Sequence, residues 1–391
     1  MVEHALEGLR VVEFGDFISA AYAGKLLADL GADVVKVESL EGDSLRRQGP
    51  FPGDVEDPET SGLHLFLNTN KRSVTLDLDD PAGREALVEL FGWADIAVHN
   101  MPVARLHELG LDYETVSKEL PQLIMVSITV FGYDGPFRDW KGTALTATVA
   151  SGVSHRVGDP DRSPLWIPFS AADFQGGLHA SICALLALQA RRASGEGQHA
   201  WLSVVEVMAS YLGGSGLPGY VFQGQMRGRS GKYMAAFYPW EVAETADGYY
   251  EIITMVDDQW NRFVSLMGDP EWKDDERFED RWMAYQWADE LDEYWHPWLK
   301  ERKSADLAKL FSKNRIPFQP IHTLEEVAKS EHLQAREFWA KTEHPRAGEY
   351  TLPGAPYKFS RSPWSIRRPA PLLGQHNDEV FGELVGAGAT E

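Results

Sequence analysis

Short apolar runs alternate with longer segments of helical spacing in the first half of the chain. Runs at 9–14 and 34–38 are typical of buried strands, and the segment 20–30 between them has helical spacing and ends at Gly31. This order predicts a β-α-β unit with parallel strands and a right-handed crossover. Because the alternation is repeated further along the chain, it indicates a doubly wound α/β domain. The later predicted elements are strands at 96–98 and 123–130 and helices at 81–93, 113–120, 143–151, 178–189 and 201–211.

The pattern changes in the second half. A glycine-rich stretch near 213–231 has little periodicity, and the segment 244–253 then has the pattern of a strand, an Asp-Gly turn and a second strand. Helical segments follow at 257–267, 305–311 and 323–330. We therefore predict a large domain at 1–215 completed by 345–391, and a smaller α+β domain at 231–330, joined by linkers at 216–230 and 331–344.

Composition and charge limit the classes of function. The chain has 391 residues, of which 37 are basic and 59 acidic, giving a net charge of −22. Such a chain repels nucleic acids and anionic membranes, so neither is expected as a partner, and an anionic ligand needs a local basic patch. The single cysteine, Cys183, excludes an intrachain disulfide and fits a reducing compartment. No run reaches membrane-spanning length and residues 1–10 lack the apolar core of a signal peptide, so we expect a cytoplasmic protein.

Asp173 is the candidate for chemistry. It stands between the apolar run 165–169 and the pair Gly176-Gly177, just before the predicted helix 178–189. An Asp in this place ordinarily caps a helix. The positive end of the helix would also keep its carboxylate ionised, which suits a nucleophile. The two glycines allow close approach of a substrate, and their N–H groups would be available to a developing oxyanion.

Four sequence patterns carry a resemblance to a known family. They are A-D-L-G-A-D-V-V-K-V-E at 28–38, N-x-N-K-R-S-x-x-L-D at 68–77, A-D-x-x-G-G-L-H-A at 172–180, and G-E-G-Q-x-x-x-x-S-x-x-E at 195–206. With these patterns the chain resembles the class III CoA-transferases, the CaiB/BaiF family, over essentially its full length. The resemblance implies a large Rossmann-like domain, a smaller domain and a homodimer whose chains are interlocked. It also implies that CoA moves from an acyl-CoA to a carboxylic acid, with acyl-CoA as substrate, no tightly bound cofactor and no metal.

The resemblance also assigns roles to residues. It makes Asp173 the nucleophile, which attacks the donor thioester and passes through an acyl-aspartyl anhydride and an aspartyl-CoA thioester. Gly176, Gly177, Gly228 and Gly231 are the expected oxyanion or substrate contacts. The family often carries basic residues where this chain has Ser39, Asp79 and Glu108, and Arg46, Arg47, Lys71, Arg72 and Arg105 lie close enough in sequence to substitute. The expected CoA-binding residues are Asp16, Ile18, Ser19, Ser39, Leu76, Asp79, Asn100, Met101, Pro102, Arg105, Lys141 and Ala144.

Two alternative functions remain open at this point. An acyl-CoA racemase of the same fold needs two acid/base groups, and the resemblance places Thr143 where the racemase histidine stands, with His155 twelve residues later. A non-catalytic subunit that pairs with an active homologue is the other alternative, which the retention of Asp173 disfavours. The glycine-rich loop of formyl-CoA transferases is absent in that form, so a formyl or oxalyl group is not expected. The aromatic content favours a larger apolar acyl group.

Overall fold

The computed structural model describes residues 3–214, 216–234 and 237–388, and the chain forms two compact units. The first unit comprises Met1–Val153, Trp166–Pro218 and Gln334–Glu391, and the second comprises Ser154–Leu165 and Gly219–Leu333. These bounds differ from the predicted ones, and the predicted linker 331–344 is divided between the two units at Gln334. The second unit includes 219–230, which was predicted as linker, and it also takes the segment Ser154–Leu165 from the predicted large domain.

Eleven strands and sixteen α-helices occur in the described residues. The strands are β1 (Arg10–Phe14), β2 (Asp33–Glu38), β3 (Lys71–Thr75), β4 (Ile96–His99), β5 (Ile124–Thr129), β6 (His199–Ser203), β7 (Trp240–Glu244), β8 (Tyr249–Ile253), β9 (Phe318–Pro320), β10 (Trp339–His344) and β11 (Gly348–Pro353). The helices are α1 (Ile18–Asp29), α2 (Gly62–Leu67), α3 (Pro81–Trp93), α4 (Val103–Leu109), α5 (Tyr113–Val116), α6 (Ala144–Ala150), α7 (Ala171–Ser194), α8 (Val204–Ser210), α9 (Leu217–Gln223), α10 (Asp257–Ser265), α11 (Arg281–Ala284), α12 (Ala288–Lys300), α13 (Ser304–Lys313), α14 (Leu324–Ala328), α15 (Glu331–Ala335) and α16 (Asn377–Gly388).

A parallel sheet forms the centre of the first unit. Its six strands have the order β3-β2-β1-β4-β5-β6 within the described residues, which confirms the predicted doubly wound α/β fold. Val12 in β1 is paired with Val35 in β2 and with Ala97 in β4, and all three side chains are fully buried. The strand order reverses between β1 and β4. Ligands of such sheets bind at this switch point, outside the carboxyl ends of the strands.

The predicted elements of the first unit are mostly confirmed, and the errors have local causes. The segment predicted as helix 201–211 begins as the edge strand β6, which pairs in parallel with β5, and Ser203 then caps α8. The helix predicted at 113–120 ends at Val116. The antiparallel hairpin of β10 and β11 and the final helix α16 were not predicted.

Helix α7 is much longer than predicted. It begins at Ala171 rather than at Leu178 and has 24 residues, so the expectation that no run reaches membrane-spanning length is wrong. By length and composition alone this helix is apolar enough to cross a membrane, with a mean hydropathy of 1.2. One face of α7 is buried against α1 and β5, as in the core helix of a folded domain. The cytoplasmic location stays a prediction.

The second unit has its own small sheet and core. Strands β7, β8 and β9 form an antiparallel sheet, and the predicted Asp-Gly turn is present, with the Thr245 N–H donating to the Gly248 carbonyl at 2.9 Å. The core contains many aromatic side chains, among them Tyr238, Phe263 and Trp295, all fully buried. Trp295 belongs to the acidic, tryptophan-rich segment 269–303, which therefore supplies part of this core.

Candidate active site

Asp173 lies in the first turn of α7 rather than before the helix. Phe169 and Ser170 precede it with positive φ angles of 62° and 51°, and this sharp turn starts the helix at Ala171. The N-cap is Ser170, whose side chain makes no capping hydrogen bond, so the prediction that Asp173 caps the helix is wrong. Within the described part of the chain, the Asp173 carboxylate has no hydrogen-bond or ion-pair partner. A structural role in capping therefore does not account for this side chain.

Burial controls the electrostatics of Asp173. Loss of solvent around the side chain raises the pKa of its carboxyl from 3.8 to about 6. We had expected the positive end of the helix to keep the carboxylate ionised, but desolvation outweighs that effect here. The group is still mostly ionised at neutral pH. It is also more basic than an ordinary aspartate, and perturbed groups of this kind are enriched in active sites.

A cavity of about 960 Å³ contains Asp173 on its wall. It lies where the loops after β4 and β5 meet the N-terminal end of α7. The loop after β5 supplies Phe131, Trp140 and Lys141, and Trp166 comes from the segment before α7. The sequence analysis missed Phe131, Trp140 and Trp166, although a glycine- and proline-punctuated loop directly after a predicted strand was a signal for residues at the ligand edge.

A second cavity of about 580 Å³ lies beside the carboxyl ends of β1 to β4. Asn100, Pro102 and Arg105 line both cavities, so the two are adjacent at these residues. All of the predicted CoA-binding residues except Ile18 line one cavity or the other. The first contains Ser19, Asn100, Pro102, Arg105, Lys141 and Ala144. The second contains Asp16, Ser39, Leu76, Asp79, Asn100, Met101, Pro102 and Arg105.

Ile18 is an exception because it belongs to the core. Only 2% of its surface is exposed, and it packs with Ala21, Leu45 and Leu67. The turn around it is instead held by Asn100, whose side-chain N–H groups donate to the Asp16 carbonyl at 2.5 Å and to Ser19 Oγ at 3.0 Å. Ile18 therefore shapes the turn from below and has no place on the cavity wall.

Gly176 and Gly177 have a packing role that the sequence analysis did not anticipate. Both lie inside α7, where their N–H groups belong to the helical hydrogen-bond ladder. A β-carbon on Gly177 would lie 2.5 Å from the Ser19 carbonyl oxygen, and one on Gly176 would lie 3.0 Å from Val204 Cγ2. The two glycines therefore let α7 approach its neighbours, and the geometry does not support their use as oxyanion donors.

Gly228 and Gly231 belong to the second unit. Gly228 is exposed, and the Gly231 N–H donates to the Gly158 carbonyl at 3.1 Å, with a φ of 64°. Their predicted contact with substrate stays a prediction.

Thr143 lies on the wall of the Asp173 cavity and is also a helix cap. Its hydroxyl oxygen accepts a hydrogen bond from the Thr146 N–H at 3.4 Å at the start of α6. A threonine hydroxyl is not a base near neutral pH. His155 is an exposed residue of the second unit, and within the described residues no histidine lines the Asp173 cavity.

The basic residues near the cavities differ in whether they are buried in ion pairs or exposed to a ligand. Arg46 is buried between Glu38 and Glu59, and Lys71 is buried against Glu13, so these two are committed to internal ion pairs. Arg72 is also buried in a cluster of ion pairs. The suggestion that these three replace missing phosphate contacts is therefore wrong. By contrast, Lys141 is exposed on the cavity wall and has no ion-pair partner in the described residues.

One cluster in the second unit has the side chains of a metal site. Glu241, Asp292 and His296 place their ligand atoms within 4.8 Å of one another. However, the Lys232 ammonium lies 2.6 Å from Asp292 Oδ2 and 3.1 Å from Glu241 Oε2. A lysine therefore already pairs with these two carboxylates and offsets one of their two charges.

The chain is similar to known proteins along nearly its whole length. A family model described as CoA-transferase family III matches residues 6–377. Succinyl-CoA–D-citramalate CoA-transferase of Chloroflexus aurantiacus is 31% identical, covering 97% of this chain and 94% of that protein. Succinate–glutarate CoA-transferase of Agrobacterium fabrum is 32% identical, covering 97% and 95%. A CaiB/BaiF family protein from Brucella suis has a similar solved structure, with a TM-score of 0.88, 30% identity and coverage of 98% and 100%. The resemblance inferred from the sequence motifs is thus confirmed, and the chain is an enzyme that belongs to CoA-transferase family III.

Proposed function

We propose that this enzyme transfers CoA from an acyl-CoA donor to a carboxylic acid, with Asp173 as the nucleophile. The observation that carries the proposal is a partly buried carboxylate, without a partner among the described residues, on the wall of a cavity that adjoins a second cavity at the sheet edge. The names of the two curated relatives support the choice of carboxylic acids as acceptors.

The two cavities suggest how the donor lies. The adenosine end occupies the smaller cavity beside β1 to β4, and the pantetheine arm passes Asn100, Pro102 and Arg105. The thioester then reaches Asp173. The aromatic side chains Phe131, Trp140 and Trp166 provide an apolar surface for the acyl group or for the arm.

The transfer follows from carboxylate chemistry alone. An Asp173 oxygen attacks the thioester carbonyl, the C–S bond breaks, and CoA leaves as a thiolate, which gives an acyl-aspartyl anhydride. The thiolate attacks the aspartyl carbonyl and releases the donor acid, leaving an aspartyl-CoA thioester. The acceptor carboxylate attacks this thioester, the C–S bond breaks, and CoA leaves again as a thiolate, which gives an anhydride between Asp173 and the acceptor. The thiolate attacks the acceptor's carbonyl in this anhydride, which forms the product acyl-CoA and frees the Asp173 carboxylate. No step requires a proton transfer, which agrees with the absence of histidine from the cavity wall in the described residues.

Oxyanion stabilisation needs N–H groups other than those of Gly176 and Gly177. The N–H groups of Ala171 and Ala172 precede the helical hydrogen-bond ladder of α7 and lie at the same end of the helix as Asp173. These groups suit the tetrahedral intermediates of each step.

Asp173→Asn tests the nucleophile. The amide keeps the shape of the side chain but lacks the attacking oxygen anion, so transfer should fall by about four orders of magnitude or more while the fold persists. The measurement is mass spectrometry after incubation with a panel of acyl-CoAs followed by borohydride or hydroxylamine, which modify the aspartyl thioester. Wild type should be modified at Asp173 and the variant should not. The exposed Asp134→Asn variant is the matched control and should load normally.

The activity of the Asp173→Asn variant and a separate measurement of α-proton exchange distinguish the alternative functions. Near-normal transfer by Asp173→Asn would contradict the proposed mechanism. A racemase would exchange the α-proton of a 2-methylacyl-CoA in deuterated water without an acceptor acid, and Thr143 gives no base for this reaction. A non-catalytic subunit would neither load nor exchange.

We also propose that two copies form an interlocked homodimer, as the family resemblance implies. Leu178, Ile182 and Leu186 recur every four residues along α7 and remain exposed in the single chain. An apolar stripe of this kind supports a covering partner.

A further inference from the structure

Acidic side chains outnumber basic ones in the lining of the smaller cavity. Among the described residues, Asp16, Glu38, Glu41, Asp77 and Asp79 line it, and Arg105 is its only basic residue. The carboxylates lie at or just after the ends of the three neighbouring strands β1, β2 and β3, and Arg105 lies in α4 after β4, at the switch point of the sheet. The acidic character is therefore a property of the whole ligand edge around this cavity.

Most of these charges are not neutralised within the cavity. Glu38 is buried and pairs with Arg46 at 2.7 Å, so its charge is compensated by a residue that does not line the cavity. Asp16 accepts a hydrogen bond from the Ser44 N–H at 2.7 Å, and Asp77 accepts one from the Asp79 N–H at 2.9 Å. Asp16, Glu41 and Asp77 have no ion-pair partner in the described part of the chain.

Arg105 does not offset this excess. Its guanidinium group contacts the Asp79 carboxylate and lies 2.8 Å from Glu108 Oε2. Two carboxylates therefore share one cation, and this group of three has a net charge of −1. A phosphate that entered the cavity would have to displace one of the two carboxylates and would still face Asp16, Glu41 and Asp77.

A ribose with free hydroxyls and a phosphorylated ribose require opposite charges in the pocket that binds them. A carboxylate accepts hydrogen bonds from free ribose hydroxyls, whereas a phosphorylated ribose needs an arginine or lysine in the same place. Like charges brought together in a partly closed cavity repel strongly. An adenosine with free hydroxyls also offers its amino group as a further donor to the acidic wall.

We propose that the smaller cavity recognises a ribose with free hydroxyls and gains no affinity from a 3′-phosphate, so that the enzyme accepts 3′-dephospho-CoA thioesters at least as well as CoA thioesters. The proposal rests on the proposed function, because it assumes that the adenosine end of the donor occupies this cavity. Asp79 and Glu108 are the residues that determine this specificity, since together they occupy Arg105, the basic residue of the cavity wall in the described residues.

Calorimetric titration of the wild-type enzyme with CoA and with 3′-dephospho-CoA tests the proposal. One charge-assisted hydrogen bond to a phosphate would make CoA bind about tenfold more tightly or better. We expect dephospho-CoA to bind as tightly as CoA or more tightly. A preference for CoA of about tenfold or more would overturn the inference but leave the proposed function intact. Failure of both compounds to bind would overturn the inference and the proposed function together.

A charge variant tests the residues involved. Asp79→Asn combined with Glu108→Gln removes both partners of Arg105, so the freed guanidinium should shift the ratio of the two affinities about tenfold or more towards CoA. Glu119→Gln combined with Glu301→Gln makes the same change in net charge at exposed positions outside the cavity and should leave the ratio unchanged. An unchanged ratio in the Asp79/Glu108 variant, with native circular dichroism, would overturn the assignment, as would an equal shift in the control.

Discussion

For individual site residues, the position in the chain could be read from the sequence, whereas burial and pairing depend on the fold. Asp173 was identifiable from its neighbours in the chain, but its missing partners and its burial are properties of the fold. Burial raises its pKa to about 6, so the carboxylate is more basic than usual and ionises at a higher pH than an ordinary aspartate. The charge needed for attack is therefore present only above that pH.

This gives a prediction for the pH dependence of loading. The rate at which acyl-CoA modifies Asp173 should be constant above pH 7 and fall as the pH decreases through about 6, since the protonated carboxyl is not a nucleophile. Rapid-quench mass spectrometry without an acceptor acid measures this step by itself. An ordinary aspartate would keep its activity down to about pH 4, and such a profile would contradict the burial argument.

At the scale of the elements, the packing of α7 on α1 explains why two glycines occur next to each other in α7. Ser19, Tyr22 and Ala23 of α1 lie so close to Gly177 that no side chain fits between the helices. This contact fixes the first turns of α7, which carry Asp173, relative to the turn after β1. Helix packing and site geometry therefore depend on the same residues.

Gly177→Ala should destabilise the protein by about 1–3 kcal/mol, because the added methyl group overlaps the Ser19 carbonyl. In an open helix the same change would be stabilising by about 1 kcal/mol, since alanine is the better helix former. Gly382→Ala in α16 is the matched control, because nothing lies within 4 Å of its β-carbon position. Urea unfolding of both variants measures the difference. Equal effects at the two positions would show that the helices have room to separate.

The whole molecule adds the question of assembly. Helix α7 is half buried in its own unit, yet its outer stripe of Leu178, Ile182 and Leu186 is exposed. A net charge of −22 opposes general aggregation, so the exposed apolar stripe is the surface that the proposed homodimer would cover.

Interlocked dimers should not exchange subunits without unfolding, which gives a prediction for the assembled protein. When a tagged and an untagged preparation are mixed at nanomolar concentration, no mixed dimer should form over a day, whereas refolding them together should give mixed dimers. Native mass spectrometry measures the mixed species. Rapid exchange, or a folded monomer in sedimentation, would show that the chains are not linked.

The sequence by itself determined the architecture of the first unit and indicated Asp173 as the candidate nucleophile. The alternation of buried runs such as 34–38 with amphipathic helices such as Pro81–Trp93 fixes a parallel sheet, because both periods are local properties of the chain. Strand β6 and the hairpin of β10 and β11 were not predicted from these local periods. Strand β6 is half exposed and depends on its pairing with β5, and the hairpin of β10 and β11 likewise depends on its partner strand.

Only the tertiary structure decided what the individual site residues do. Ile18 and Asp16 are two positions apart, yet one lies in the core and the other on a cavity wall. Lys71 and Lys141 are both lysines near the predicted site, but only the first is committed to a buried ion pair. Burial, pairing and the sharing of Arg105 by Asp79 and Glu108 arise from contacts between segments distant in the chain or across a helix turn. Local sequence patterns specify secondary structure, but the charge and accessibility of a side chain depend on the neighbours that folding brings to it.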